Sequence, residues 1–378
     1  MKSKTIGIIV AVGVLAVAGA YFYPRQSGPT EDKTVRVAAN LPLSGELAFY
    51  GGEFRDGLLM AVADNASRLP AGVTISFDWG DNRFSARDAA TVLQRQLQTT
   101  PTIYTSGLKP QVMAVDQEVA NAKIPHLAWV LDLTPNPANT TNNFRTWVSF
   151  KLETDVFFEH AKKVQAKNVV LSFVSLPSSE AAYANHLAGR LQNELGAKVT
   201  IERFNPDVGA DDFRNIAVRI ASHKPDLIMV NGFIPHMVGI IRGLRPLAVI
   251  KDGNTMAALD MLDAAGALTP EESEGIIVAA PQFMIKPNDD QKAWTTRFQE
   301  KYNRKPSYHA AFAYDGGVTI VDAATRLQLP ATNADWLKAI LATNTKGVTG
   351  DIRFGTDQSL ITQLSKAIYR NGVLTPLE

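Results

Sequence analysis

Lys109, Asp132 and Asp252 are charged side chains where the chain leaves a strand, the position from which α/β proteins hold small molecules. Lys109 lies between Leu108 and Pro110 at a helix start, where its charge opposes the helix dipole. An anion meeting it, a ligand carboxylate or Asp132, would remove that conflict; an exposed lysine is the plainer reading. Asp132 follows the apolar run from Ile124 to Leu131, and either faces a ligand or caps the next turn through Thr134. Asp252 precedes Gly253, a pair common in solvated turns, yet it also stands after a strand as a ligand contact would. Tyr50 (with Phe49 as its register alternative), Trp129, Val130, Ser179 and Phe233 share this setting. Aromatic faces wall small-ligand pockets, although Trp129 at an apolar strand end suits core packing as well.

Other chemistries lack their residues. With no cysteine there is no disulfide, thiolate metal site or thiol nucleophile. The six histidines, His126, His160, His186, His223, His236 and His309, include no pair at the i, i+4 spacing of a zinc motif. Neither a phosphate-binding Gly-rich loop, nor Gly-x-Gly-x-x-Gly, nor a Gly-x-Ser-x-Gly elbow occurs. No catalytic residue, metal or cofactor is therefore expected, and the chain reads as a binder rather than an enzyme. Lys plus Arg number 38 against 37 Asp plus Glu, with no clustered basic run, so nothing points to a nucleic-acid partner.

The elements that must position these residues alternate. Apolar strand-like runs at Thr34–Leu43, Val73–Trp79, Thr102–Thr105 and Ile124–Leu131 are separated by helical patterns, notably Ala86–Leu97 and Gln111–Ala122. The rhythm returns with strands at Val169–Val174, Val199–Phe204, Leu227–Val230 and Gly275–Ala280 among helical stretches. Near-continuous apolar strands alternating with helices imply parallel sheets buried on both faces. Two such arrays in 378 residues predict an α/β fold of two doubly wound lobes with a ligand cleft between them.

Before the first strand, Lys2 and Lys4 precede the uncharged apolar stretch Thr5–Tyr23, and Ala18-Gly19-Ala20 suits signal cleavage. Residues 1–25 read as a cleaved signal peptide or as an uncleaved transmembrane anchor, and 26–33 as a linker. Both readings export the rest of the chain to the periplasm, either free or anchored to the inner membrane.

In order and spacing, several pieces resemble the type I periplasmic solute-binding proteins, above all the Leu/Ile/Val-binding branch that serves ABC transporters. They are Pro42-Leu-Ser-Gly45, Tyr50-Gly51, Asp78 to Asp81, Asp207 to Phe213, Lys224-Pro-Asp226, Lys305-Pro-Ser-Tyr308, Tyr314-Asp315 and Gly350-Asp-Ile-Arg-Phe354. The resemblance implies a chain crossing three times between lobes, 34–150 plus 281–350 forming one and 151–280 plus 351–378 the other, with a hinge that shuts on the ligand. It implies Lys109 where the family holds a ligand carboxylate through a serine and loop amides, and Asp132 at or near a threonine contact flanked by Trp129 and Val130. Ser179 falls near a lobe-two tyrosine, Phe233 at a second aromatic, Tyr50 at a side-chain pocket aromatic, and Asp252 at the acid meeting the ligand ammonium. The substitutions at Lys109, Asp132 and Ser179 argue against a plain leucine-type ligand, and Lys109 and Asp132 suggest a guest more polar than leucine. The implied function is capture of a small amino-acid-like molecule, or a related carboxylic acid or amide, for an ABC permease. A membrane-anchored sensor built on the same cleft is the alternative.

Overall fold

The computed structural model describes residues 33–131, 142–207 and 209–377. Asp132 and the apolar stretch 5–23 lie outside them. Among the described residues no helix is long and apolar enough to cross a membrane.

Two sheets organise the chain, as the alternation of strands and helices predicts. The first comprises β1 (Thr34–Leu41), β2 (Thr74–Asp81), β3 (Ile103–Gly107), β4 (His126–Trp129) and β5 (Asn143–Arg145), all parallel in the order β2-β1-β3-β4-β5. The second begins with β6 (Asn168–Val174), β7 (Lys198–Phe204), β8 (Leu227–Asn231), β9 (Thr255–Ala257) and β10 (Ile276–Pro281), mutually parallel where they pair. A small antiparallel ribbon, β11 (Asn344–Lys346) with β12 (Asp351–Arg353), stands apart. The closing strands β13 (Leu364–Arg370) and β14 (Val373–Pro376) join the second sheet antiparallel, completing the order β14-β13-β10-β9-β8-β6-β7. Central strands such as β8 and β10 are buried at every position, which explains their unbroken apolar sequence.

Helices α1 (Ala48–Asp64), α2 (Ala86–Leu97) and α3 (Lys109–Asn121) follow β1, β2 and β3, and α4 (Phe150–Lys163) leads into the second sheet. Ser149 caps α4, its hydroxyl accepting from the Leu152 N–H. The long helix Tyr308–Thr325 packs against α1 at backbone distance. A methyl added at Gly57 would collide with the Ala310 carbonyl, and one at Gly317 would lie 2.5 Å from the Ala61 Cβ. No periodicity marks Tyr308–Thr325 in the sequence because all but its last residue are buried, so it has no polar face to reveal it.

One strand moves. The segment Lys251–Gly253 does not follow a strand. It precedes β9, whose three residues Thr255–Ala257 lead instead into Ala258, Leu259 and Asp260. That shift decides one of the site residues below.

Candidate functional site

The carboxyl ends of both sheets face one cavity, as expected for open parallel sheets. From the first come Tyr50 and Phe54 of α1, Phe84 beyond β2, Leu108 to Pro110 beyond β3, and Trp129 and Leu131 at β4. From the second come Leu176, Ser178 and Ser179 beyond β6, Asn231 to Phe233 beyond β8, and Asp260 beyond β9. Trp147, Phe150, Tyr308 and His309 complete the walls. About 80 Å³ of this space is open to the centre of a water molecule. One water needs roughly 10–15 Å³ on that measure, so the cavity has room for a small organic molecule.

Aromatic rings form most of the surface. Phe54 stacks on Trp129 with centroids 5.2 Å apart and planes 15° from parallel. Trp147 meets Phe54 edge-on at 5.4 Å and lies 4.9 Å from the His309 ring. Phe233 reaches across from the second sheet to Tyr50 (5.9 Å) and Phe84 (5.8 Å). The Ile234 N–H also donates to the Tyr50 hydroxyl at 3.2 Å, tying the two rims together.

At the first-sheet rim the cavity meets the start of α3. Leu108 takes a positive φ of 66° and donates its N–H to the Trp129 carbonyl at 3.0 Å, turning the chain sharply into the helix. No side chain caps this helix start, so its first-turn amides form a donor-rich end beside the Lys109 charge.

At the second-sheet rim the polar groups are buried carboxyls. Tyr308 donates its hydroxyl proton to Asp260 at 3.0 Å; the His309 Nε2 stands 3.5 Å from the same oxygen and its Nδ1 2.8 Å from Asp263. Burial pushes the Asp260 carboxyl up to about 6, against the pull of His309 and the Tyr308 hydrogen bond. Burial likewise raises Asp263 to about 8 and lowers His309 to about 4. Burial thus disfavours the charged forms of both His309 and Asp263, while His309 and the Tyr308 hydroxyl favour the charged form of Asp260.

Of the residues singled out from sequence, Tyr50, Lys109, Trp129, Ser179 and Phe233 line the cavity together. Two do not. Val130 packs behind the strand with Val112 and Ala128, because successive residues of an extended chain point to opposite faces. Asp252 lies in the turn at the amino end of β9, its side chain 69% exposed and ion-paired with Arg370. The solvated-turn alternative holds for it, and the acid beyond β9 is Asp260. Asp132 lies outside the described residues. Sequence reasoning missed Asp260, Asn231, Phe54, Trp147, Tyr308 and His309. Asp260 had one signal: an acid set between apolar Leu259 and Met261.

Residues 34–367 match the family described as periplasmic binding protein. A Leu/Ile/Val-binding protein of Rhizobium johnstonii is 26% identical over 227 residues, 58% of this chain and 60% of that protein. The match thus spans less than two thirds of that curated relative. Solved structures similar in fold include a branched-chain amino acid transporter substrate-binding protein of Streptococcus pneumoniae in complex with isoleucine. It has a TM-score of 0.77 at 20% identity, covering 90% of this chain and 98% of that one. A solute-binding protein of an ABC transporter from Rhodopseudomonas palustris, in complex with benzoate, has a TM-score of 0.80 at 18% identity over 91% and 95% of the two chains. Another from Rhodopseudomonas palustris BisB5, with 3,4-dihydroxybenzoic acid, has a TM-score of 0.81 at 15% identity over 92% and 96%.

Proposed function

This chain belongs to the periplasmic binding protein family, and on that premise we propose that it captures a small carboxylic acid with an apolar body. The carboxylate would meet the α3 start and Lys109, and the body would lie among the rings. The observation that carries this reading is a single aromatic cavity with a donor-rich rim on one sheet and an acidic rim on the other. The isoleucine and benzoate bound by the two solved relatives share this plan, a carboxylate on an apolar body.

Capture would proceed by hinge closure. Segments 34–150 and 281–350 would form one lobe, 151–280 and 351–378 the other, with Tyr50, Phe84, Tyr308 and His309 closing on Phe233 and Asp260. Rings and rim amides would order the guest, and the lobes would then exclude water from it. Asp260 would orient a ligand donor more than add affinity, because desolvating both groups offsets most of their attraction. The loaded protein would work outside the cytoplasm and deliver its solute to an ABC permease.

A thermal-shift panel of amino acids, aromatic acids, dicarboxylates and amides tests this, with mass spectrometry of whatever co-purifies. A rise in melting temperature for at least one carboxylic acid is expected, accompanied by compaction in solution scattering. No acid shifting the melt, and no small molecule in the purified protein, would end the reading.

A further inference from the structure

Ser179 and Asn231 line the cavity, but their hydrogen bonds run away from it into the second lobe. The Ser179 hydroxyl donates to the Asn231 Oδ1 at 3.3 Å, and the Asn231 Nδ2 donates to the Tyr183 hydroxyl oxygen at 3.1 Å. Tyr183 donates in turn to a Glu153 carboxyl oxygen, while the other Glu153 oxygen accepts the Leu259 N–H at 2.9 Å. Ser179, Asn231, Tyr183 and Glu153 are 2%, 6%, 0% and 0% exposed, so bulk water does not compete for these bonds. Tyr183 sits where Glu180–Leu187 widens to π-helical pitch, a local departure that recurs at functional sites.

With Glu153 ionised, the direction of this chain is forced. A hydroxyl has one proton, and ionised Glu153 can only accept, so Tyr183 spends its proton there. Its oxygen must then accept from the Asn231 amide nitrogen, which turns Oδ1 toward Ser179. The Ser179 proton goes to Oδ1 and leaves only lone pairs for the cavity. Asp260, next to the Leu259 that Glu153 holds, is a second acceptor on the same wall.

We propose that the Glu153–Tyr183–Asn231–Ser179 chain sets the hydrogen-bonding sign of the second-lobe wall. The cavity then selects acids whose apolar body carries a hydroxyl or amine donor away from the carboxylate. The same body ending in an ether, which can only accept, is rejected. This inference rests on the solute-capture reading and names the ligand class within it. Glu153, Tyr183 and Asn231 act as positioning residues through Ser179.

Calorimetric titration with 4-hydroxybenzoate, 4-aminobenzoate and 4-methoxybenzoate tests the sign. Burial pushes the Glu153 carboxyl up to about 7, so pH 8 keeps it ionised. Wild type is expected to bind the first two at least about tenfold more tightly than the third, the penalty for two acceptors facing each other in a dry site. In Glu153→Gln the amide N–H donates to Tyr183 and the whole chain reverses. Ser179 then offers its proton, and the methoxy compound gains on the hydroxy one by about tenfold or more. Tyr183→Phe cuts the chain without reversing it and brings the two within about threefold. Should either variant fail to fold, Ser179→Ala removes only the last link and is expected to narrow the gap, with Asp260 remaining as an acceptor.

Equal binding of hydroxy and methoxy probes by wild type, or a gap undiminished in every folded variant, overturns the inference. So does binding of other acids with none of these three, which leaves solute capture standing. Binding of no acid at all removes capture itself.

Discussion

The two rims of the cavity recognise by different means. On the first sheet, polarity comes from the backbone at the α3 start, and shape comes from rings packed into the core, with Phe54 stacked on Trp129. On the second sheet, polarity comes from side chains whose charge is adjusted by burial: Asp260 against Tyr308 and His309, and Glu153 at the end of a four-residue chain. A backbone donor does not titrate, whereas a buried carboxyl depends on pH and on every neighbour. The first rim is therefore the constant part of the site and the second the adjustable part.

The largest expected effect breaks the first rim. Phe54→Ala deletes a buried ring that stacks on Trp129 and meets Trp147, and should cost about 3–5 kcal/mol of stability in denaturant unfolding. A loss below about 1 kcal/mol would mean that the stack does not hold that wall.

Next comes the second rim. Asp260→Asn removes the charge but keeps the shape, and binding of a donor-bearing acid should weaken by about threefold to tenfold in calorimetry. Stability should change little or rise, because a desolvated charge is lost. An unaltered affinity would show that Asp260 serves only Tyr308 and His309.

A pH scan separates the rims further. The folded state holds a proton on Asp263, and on Glu153 at about 7, that the unfolded chain has already released near pH 4. Stability from these groups is complete below that pH and is lost as pH rises through the folded values of about 7 to 8. His309 works oppositely: its folded value of about 4 lies below its ordinary 6.5, so its stabilisation fades as pH falls through that interval. The melting temperature should therefore decline between pH 6.5 and 8.5, less steeply in Asp263→Asn. Identical slopes in the two proteins would assign the decline to other groups.

The smallest effect is the control. Asp252→Asn breaks an exposed pair with Arg370, and should leave both stability and ligand binding nearly unchanged. Altered binding would return Asp252 to the site.

What was legible in the sequence follows from burial. Strands such as β8 and β10 are buried on both faces and show as apolar runs, so the positions after them could be found, and with them Tyr50, Lys109, Trp129, Ser179 and Phe233. Strand β9 has only three residues, Thr255–Ala257, while Val249 and Ile250 beside it are more strand-like by type, which drew attention to Asp252 instead of Asp260. Tyr308 and His309 begin a helix with no solvent face, and periodicity carries no signal there. Glu153 and Tyr183 are 30 residues apart on separate helical segments, a pairing that only the packed fold reveals.

The missing side chains at Gly57 and Gly317 have a consequence for how the site could accommodate different guests. With no side chain between them, the first helix and Tyr308–Thr325 rest backbone against backbone, so neither can shift without pushing the other. Tyr50 rides on one and His309 on the other, their rings 4.8 Å apart. They form one stiff jaw, and any adjustment to a bulkier guest has to be made by the opposing face.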